Sequence, residues 1–227
     1  MPTDAAVREA RFEKKFVLSY EQALAMPSLL RTHPGHFRQA YPDRQVNNTY
    51  FDTTDFAHLR ENVAGVSPRK KVRLRWYGDF EAMSQTALEI KTKEGEVVSK
   101  STRTVDPDLR KQPKLPVKIA QTDSQFFFEQ AGLYRPVLKN AYLRQYYVTA
   151  DGLVRLTVDS NLRFDHPKSS RQQTPRQTLP HTIVELKYAL EAEKLAAQIS
   201  NFFPFRLSKS SKYVQGMSLC YPHLIIL

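Results

Sequence analysis

A single cysteine, Cys220, occurs in 227 residues, so no disulfide can form within the chain and a reducing compartment suits it. No Cys/His cluster has zinc-ligand spacing, which argues against a structural zinc site. No run approaches the ~18 apolar residues of a membrane helix, and the amino terminus, MPTDAAVREA, lacks the apolar core of a signal peptide. A cytoplasmic location is therefore expected. The tail LCYPHLIIL is too short to span a bilayer and reads as a final strand or packing segment. No internal repeat or composition break divides the chain, so residues 1–227 are expected to form one domain. Acidic residues are the other shortage: 23 Asp and Glu face 34 Lys and Arg, for a formal charge of +11. The natural partner is then a polyanion, with nucleic acid, polyphosphate and an anionic membrane surface all qualifying.

What is present is alternation. Polar and apolar residues alternate with a period of two over Arg11 to Leu18, Asn47 to Asp52, Lys70 to Tyr77, Ala87 to Lys93, Val97 to Val105, Ala141 to Val148, Leu153 to Ser160 and Thr182 to Tyr188, which predicts strands. Eight strands suffice to close a small barrel. Three stretches have helical character: Ser19 to about His33, where Ser19 and Gln22 have capping-box spacing; Thr122 to Ala131, stopped by Gly132; and Leu190 to Phe203, with Leu195, Ile199 and Phe202 on one face. Pro107 to Pro116 and Pro167 to Pro180 read as surface loops.

Side chains two apart on a strand share a face. In KVRLRW, Lys71, Arg73 and Arg75 lie opposite Val72, Leu74 and Trp76. Glu89 and Lys91 lie opposite Leu88 and Ile90, and Glu185 and Lys187 opposite Val184 and Leu186. Glu13 and Lys15 form a third such pair, and Arg155, Thr157 and Asp159 share the polar face of their strand. For one strand alone, the plain reading is the solvated side of an antiparallel sheet. The recurrence of arginine and lysine favours the other reading, in which the sheet closes with these faces inward and helices cover the apolar outside. At ~7 Å and an effective dielectric of ~20, each like-charged pair in an empty lumen costs roughly 2 kcal/mol, so such a lumen favours a multivalent anion along its axis.

Seven stretches in this order, RFEKKF from Arg11, VNNTYFD from Val46, KVRLRWYG from Lys71, LEIK from Leu88, VRLTVD from Val154, VELK from Val184 and SKY from Ser211, resemble the triphosphate tunnel metalloenzymes, or CYTH-like superfamily. Within it, the likeness is greatest to the polyphosphate polymerase (VTC) domain. The resemblance implies an α+β fold: an eight-stranded, closed antiparallel barrel with a basic lumen and helices packed outside. It implies a triphosphate or polyphosphate in that lumen with a divalent metal, Mn²⁺ or Mg²⁺, and transfer of the γ-phosphate of ATP to a growing chain. The implied phosphate contacts are Lys15, Arg73, Arg75, Lys91, Lys100, Arg144, Arg155 and Lys212, with Ser211 beside the last. Catalysis would fall to Lys15, Arg73, Arg75, Lys91, Arg155 and Lys212. Arg103 and Arg135 compete for the roles of Lys100 and Arg144. Glu185 would hold the metal; Glu13 and Glu89 fit either further metal ligands or partners that fix a lysine.

One departure bears on chemistry. The superfamily opens with Glu-x-Glu-x-Lys, whereas Arg11, Glu13 and Lys15 stand here. Losing a carboxylate disfavours hydrolysis, which needs carboxylates to hold metal and orient water. The competing readings are an inorganic triphosphatase and a binding module without turnover. A nucleic-acid-binding barrel is disfavoured, because no stacking aromatics or binding motif are evident and a duplex could not enter a tunnel. An integral membrane segment is not expected, although a separate membrane partner fits the family. Asn47, Asn48 and Asp52 are read as strand-end hydrogen bonders, the histidines are given no role, and Trp76 and Phe126 to Phe128 are read as core.

Overall fold

The structure, a computed structural model, describes residues 11–83, 85–95, 97–105, 134–167 and 175–224. These residues form nine strands: β1 (Arg11–Leu18), β2 (Arg38–Thr53), β3 (Arg69–Tyr77), β4 (Ala87–Glu94), β5 (Val97–Thr104), β6 (Tyr134–Val148), β7 (Arg155–Asp165), β8 (Gln177–Leu179) and β9 (Thr182–Ala189). Among the described residues four α-helices accompany them: α1 (Tyr20–Thr32), α2 (Ala57–Ala64), α3 (Glu193–Phe202) and α4 (Lys212–Cys220). The predicted helix Thr122 to Ala131, the loop Pro107 to Pro116 and the Phe126 to Phe128 cluster lie outside the described residues. No helix among the described residues is long and apolar enough to cross a membrane.

The sheet is antiparallel throughout, in the order β1-β9-β7-β6-β2-β3-β4-β5, with β8 pairing β7. This corrects the expected closed barrel. No ladder joins β1 to β5 among the described residues, so the sheet is a curled half-barrel with two edges. Side chains span the gap: Lys91 Nζ of β4 lies 3.0 Å from Glu13 Oε1 of β1. The curl comes from strand twist and bulges. One bulge is at Asn161, with φ 53, where β7 gains a residue between its pairings with Leu143 and Ala141 of β6.

Two strands are far longer than alternation predicts. The first half of β2 contains Pro42 and has no alternating pattern, yet it pairs with β6 alone; β3 joins β2 only from Val46 to Phe51. A proline is tolerated on such a one-sided stretch because it needs no second ladder. The Pro167 to Pro180 stretch, expected as a loop, contributes β8. The tail, expected as a strand or packing segment, ends α4 and forms a 3-10 turn at Pro222–Leu224.

The convex face carries Phe16, Leu156, Val158, Val184 and Leu186, buried against Met26 and Leu30 of α1 and Ala196 and Ile199 of α3. The predicted capping box starts α1: Gln22 N donates to Ser19 Oγ and Ser19 N to Gln22 Oε1. Phe202, expected on the inner face of α3, is 52% exposed, and Phe203 packs on Phe16 instead. Trp76 is core, as expected, and donates to Phe80 O.

Helix α4 is different, because it lies on the concave side. Leu138 faces Tyr50 across the β2–β6 ladder and Phe164 faces Asn140 across β6–β7. A Cβ on Gly216 would come within 2.4 Å of Phe164 Cδ1 and 2.6 Å of Leu138 Cδ2. Only glycine allows this approach. The helix thus fills the apolar end of the concavity and brings Ser211 and Lys212 to its polar end. Asp52 fastens the arrangement: its buried carboxylate accepts from the backbone N–H of Thr53, His58 and Leu59 and from Tyr213 Oη, tying β2 to α2 and α4. That is more than the strand-end role read from sequence.

Candidate functional site

The polar end of the concave face lines a cavity of about 610 Å³. Of the residues implied by resemblance, Glu13, Lys15, Arg73, Arg75, Glu89, Lys91, Lys100, Arg144, Glu185, Ser211 and Lys212 line it. Strand alternation brings them there, since Lys15 pairs with Glu185, Arg73 with Glu89, and Lys91 with Lys100 across successive ladders. Lys71 and Lys187 also line the cavity. Nine cations then face three carboxylates.

Each carboxylate is committed to cations. Glu89 accepts from Arg73 Nη2 at 2.6 Å and Lys100 Nζ at 2.7 Å, with Arg75 Nη1 at 3.7 Å. Burial alone would raise the Glu89 pKa, but these partners hold it well below the usual carboxylate range. Lys15 sits between Glu13, at 3.2 Å, and Glu185, at 3.5 Å. Burial works against its charge, and the two carboxylates more than offset this, holding its pKa above the ordinary lysine value. Burial likewise disfavours the Glu185 carboxylate, whereas Lys187, Lys15, Lys212 and Arg144 hold its pKa well below normal.

The arginines are held in fixed poses. Arg75, 7% exposed, donates through Nε to Asn48 Oδ1 and through Nη2 to Tyr142 Oη, both at 3.0 Å. Asn48 in turn donates to Asn140 Oδ1. Arg144 makes a forked pair with Asp159 at 2.6 and 2.7 Å, and Lys212 meets the same carboxylate at 2.6 Å. Asp159 is fully buried and was not among the expected site residues. Its position on the polar face, in line with Thr157, was the available signal.

Lys71 stands apart. Its Nζ donates to Ser211 Oγ at 2.9 Å. Burial, followed by the positive charges of Lys15, Lys91, Arg73 and Arg69, lowers its pKa to about 7. An anion in the cavity would raise that value, so binding of tripolyphosphate should take up about one proton between roughly pH 7.5 and 9. Affinity in that window falls as pH rises, and Lys71→Met should remove the slope. Calorimetry in buffers of differing ionisation enthalpy measures the uptake, and equal heats in the wild-type chain would refute it.

One implied contact, Arg155, falls outside the cavity, and the competitors Arg103 and Arg135 lie away from Lys100 and Arg144. Arg155 shares the concave side with Lys187, its ladder partner, but opens its strand, is exposed and does not line the cavity. Arg103 falls on the opposite face of β5 from Lys100, because odd and even positions point apart. Arg135 donates to Thr54 O and packs on Phe56, leaving the site to Arg144. The three glutamates do not converge either. Among the described residues no group of three or more Asp, Glu, His or Cys could hold a metal. Glu89 contacts Arg73, Arg75 and Lys100, whereas Glu13 and Glu185 share Lys15.

A curled antiparallel sheet with a cation-lined concavity is the triphosphate tunnel fold. Within that class, this chain belongs to the VTC domain family, which matches residues 10–221. Among solved structures it is similar to HpAC1 from Hippeastrum, which has a dominant triphosphatase activity, with a TM-score of 0.61, 17% identity and coverage of 93% of this chain and 96% of that one. It is also similar to a Bacillus halodurans protein assigned as an adenylate cyclase, with a TM-score of 0.59, 15% identity and coverage of 91% and 96%. No curated protein matches it in sequence.

Proposed function

We propose that this chain is a metal-dependent polyphosphate polymerase that transfers the γ-phosphate of ATP to a growing polyphosphate held in the concavity. The observation that carries this reading is the excess of cations over carboxylates in one cavity. The terminal oxygen of the chain is already ionised, so no base is needed to create the nucleophile. It attacks the γ-phosphorus in line; the bond to the β–γ bridging oxygen breaks, and ADP leaves with that electron pair. Arg73, Arg75 and Arg144 are held in place before the ligand arrives, which lets them take up developing charge without reorganisation. Lys15, Lys91, Lys100 and Lys212 supply point charges along the chain.

The residues fit a hard divalent ion such as Mg²⁺ or Mn²⁺, which binds through one or two carboxylates plus phosphate oxygens. Glu185 or Glu13, which lie on either side of Lys15, would hold it together with oxygens of the bound phosphate. When bound it would neutralise charge on the transferring phosphoryl group.

A second reading, an inorganic triphosphatase, draws on the described activity of HpAC1. Against it, hydrolysis requires a carboxylate free to accept a proton from water, and Glu89 and Glu185 are poor bases when cations hold their pKa values so low. Incubation with ATP and Mn²⁺ or Mg²⁺ should yield ADP and acid-labile chains. Orthophosphate without chains would establish the second reading instead.

A further inference from the structure

A row of directly opposed residues crosses the concave face from β2 to β1. Tyr41 pairs with Tyr146, Tyr146 with Thr157, Thr157 with Glu185, and Glu185 with Lys15. Opposed residues in antiparallel ladders project to the same side, so these side chains form one continuous track. Its far end is aromatic. Tyr41 and Tyr146 meet edge to face with centroids 5.6 Å apart. The Arg44 guanidinium lies 5.3 Å from the Tyr41 ring, 5.7 Å from Tyr77 and 5.8 Å from Tyr146. Arg44 itself is opposite Arg144 in the ladder, which places this cluster against the phosphate cations. Tyr41 is 56% exposed, so its ring is open to a ligand. Between the aromatic end and Glu185 stands Thr157, whose buried hydroxyl has no hydrogen-bond partner among the described residues.

A bare phosphate chain makes no use of flat aromatic surface, whereas a purine does, because bases stack on tyrosine rings and arginine planes. Strands lie ~4.8 Å apart, so Tyr146 on β6 is about 10 Å from Glu185 on β9. That span suits a nucleoside whose triphosphate begins near Lys15. We infer that this row is a nucleoside track: the base stacks on the Tyr146 ring with Tyr41 and Arg44 beside it, a sugar hydroxyl bonds the unpartnered Thr157 hydroxyl, and the phosphates continue toward Glu185 and Lys15. The chain thereby distinguishes a nucleoside triphosphate donor from inorganic tripolyphosphate. The inference rests on the phosphate-binding reading above.

Calorimetric titrations of wild type, Tyr146→Leu and Thr157→Val with ATP and with inorganic tripolyphosphate, both with Mg²⁺, test it. Tyr146→Leu should weaken ATP about tenfold, the scale of one stacked base, and Thr157→Val severalfold. Tripolyphosphate should change less than about twofold in both variants, which also shows that they fold. Equal losses for the two ligands, or an unchanged ATP affinity, would overturn the track alone. Failure of wild type to bind tripolyphosphate would overturn the phosphate-binding reading and the track with it.

Discussion

Replacing Asp159 with Asn should destabilise the ligand-free chain by about 3–5 kcal/mol, because it leaves a buried and a largely buried cation without their counter-charge. Asp159 is fully buried, and Arg144 and Lys212 both contact it at 2.6 Å. Asparagine keeps the shape but removes the charge, so the loss reflects electrostatics rather than a cavity. For a chain of this size each kcal/mol moves the thermal midpoint by roughly 2–4 °C, and the shift should be large in a melting experiment. Acid dependence should change too. Burial alone would raise the Asp159 pKa, but Lys212 and Arg144 hold it below its unfolded value. Its contribution is therefore present above the unfolded pKa and lost as pH falls through the folded one, and Asp159→Asn should flatten that part of the stability curve. Tripolyphosphate should raise the midpoint of the variant more than that of wild type, since phosphate oxygens can replace the missing carboxylate. An unchanged melt would mean that the Arg144–Asp159–Lys212 cluster contributes nothing net to folding.

Arg75→Ala should lower tripolyphosphate affinity by about a hundredfold or more, the usual cost of removing one partner from a buried, hydrogen-bonded charge pair. The guanidinium is held by Asn48 and Tyr142 and cannot swing away. Its fork is therefore oriented before the anion arrives, and the ligand meets little reorganisation. Arg75→Lys separates charge from geometry. A lysine restores the point charge but not the two parallel donors, so binding should stay about tenfold weaker than wild type. If Arg75→Lys binds as tightly as the natural chain, only the total charge of the cavity matters, and the fixed poses of the arginines are irrelevant to binding.

Much of this site could be read before any coordinates, because side-chain direction along a strand follows from alternation alone. Lys15, Arg73, Glu89 and Glu185 fall on polar faces in the sequence and on the concave face in the fold. Where alternation failed, so did the reading. The first half of β2 is held by β6, not by its own pattern, and the bulge at Asn161 lets β7 run to Asp165 beyond the point where the alternating stretch ended. Lys71 was visible on the right face, but its depressed pKa depends first on burial and then on four cations contributed by β1, β3 and β4. The same holds for the aromatic track: Tyr41 and Tyr146 are more than a hundred residues apart and become neighbours only through the β2–β6 ladder.

The order of residues determined which side chains share a face and that those faces are cationic, because the period of a strand is a local property of the backbone. Tertiary structure alone decided that no ladder joins β1 to β5 among the described residues, that Gly216 lets a helix enter the concavity, and that Asp159 neutralises Arg144 and Lys212. Those outcomes depend on register, curl and close packing between distant segments, and no local pattern encodes them.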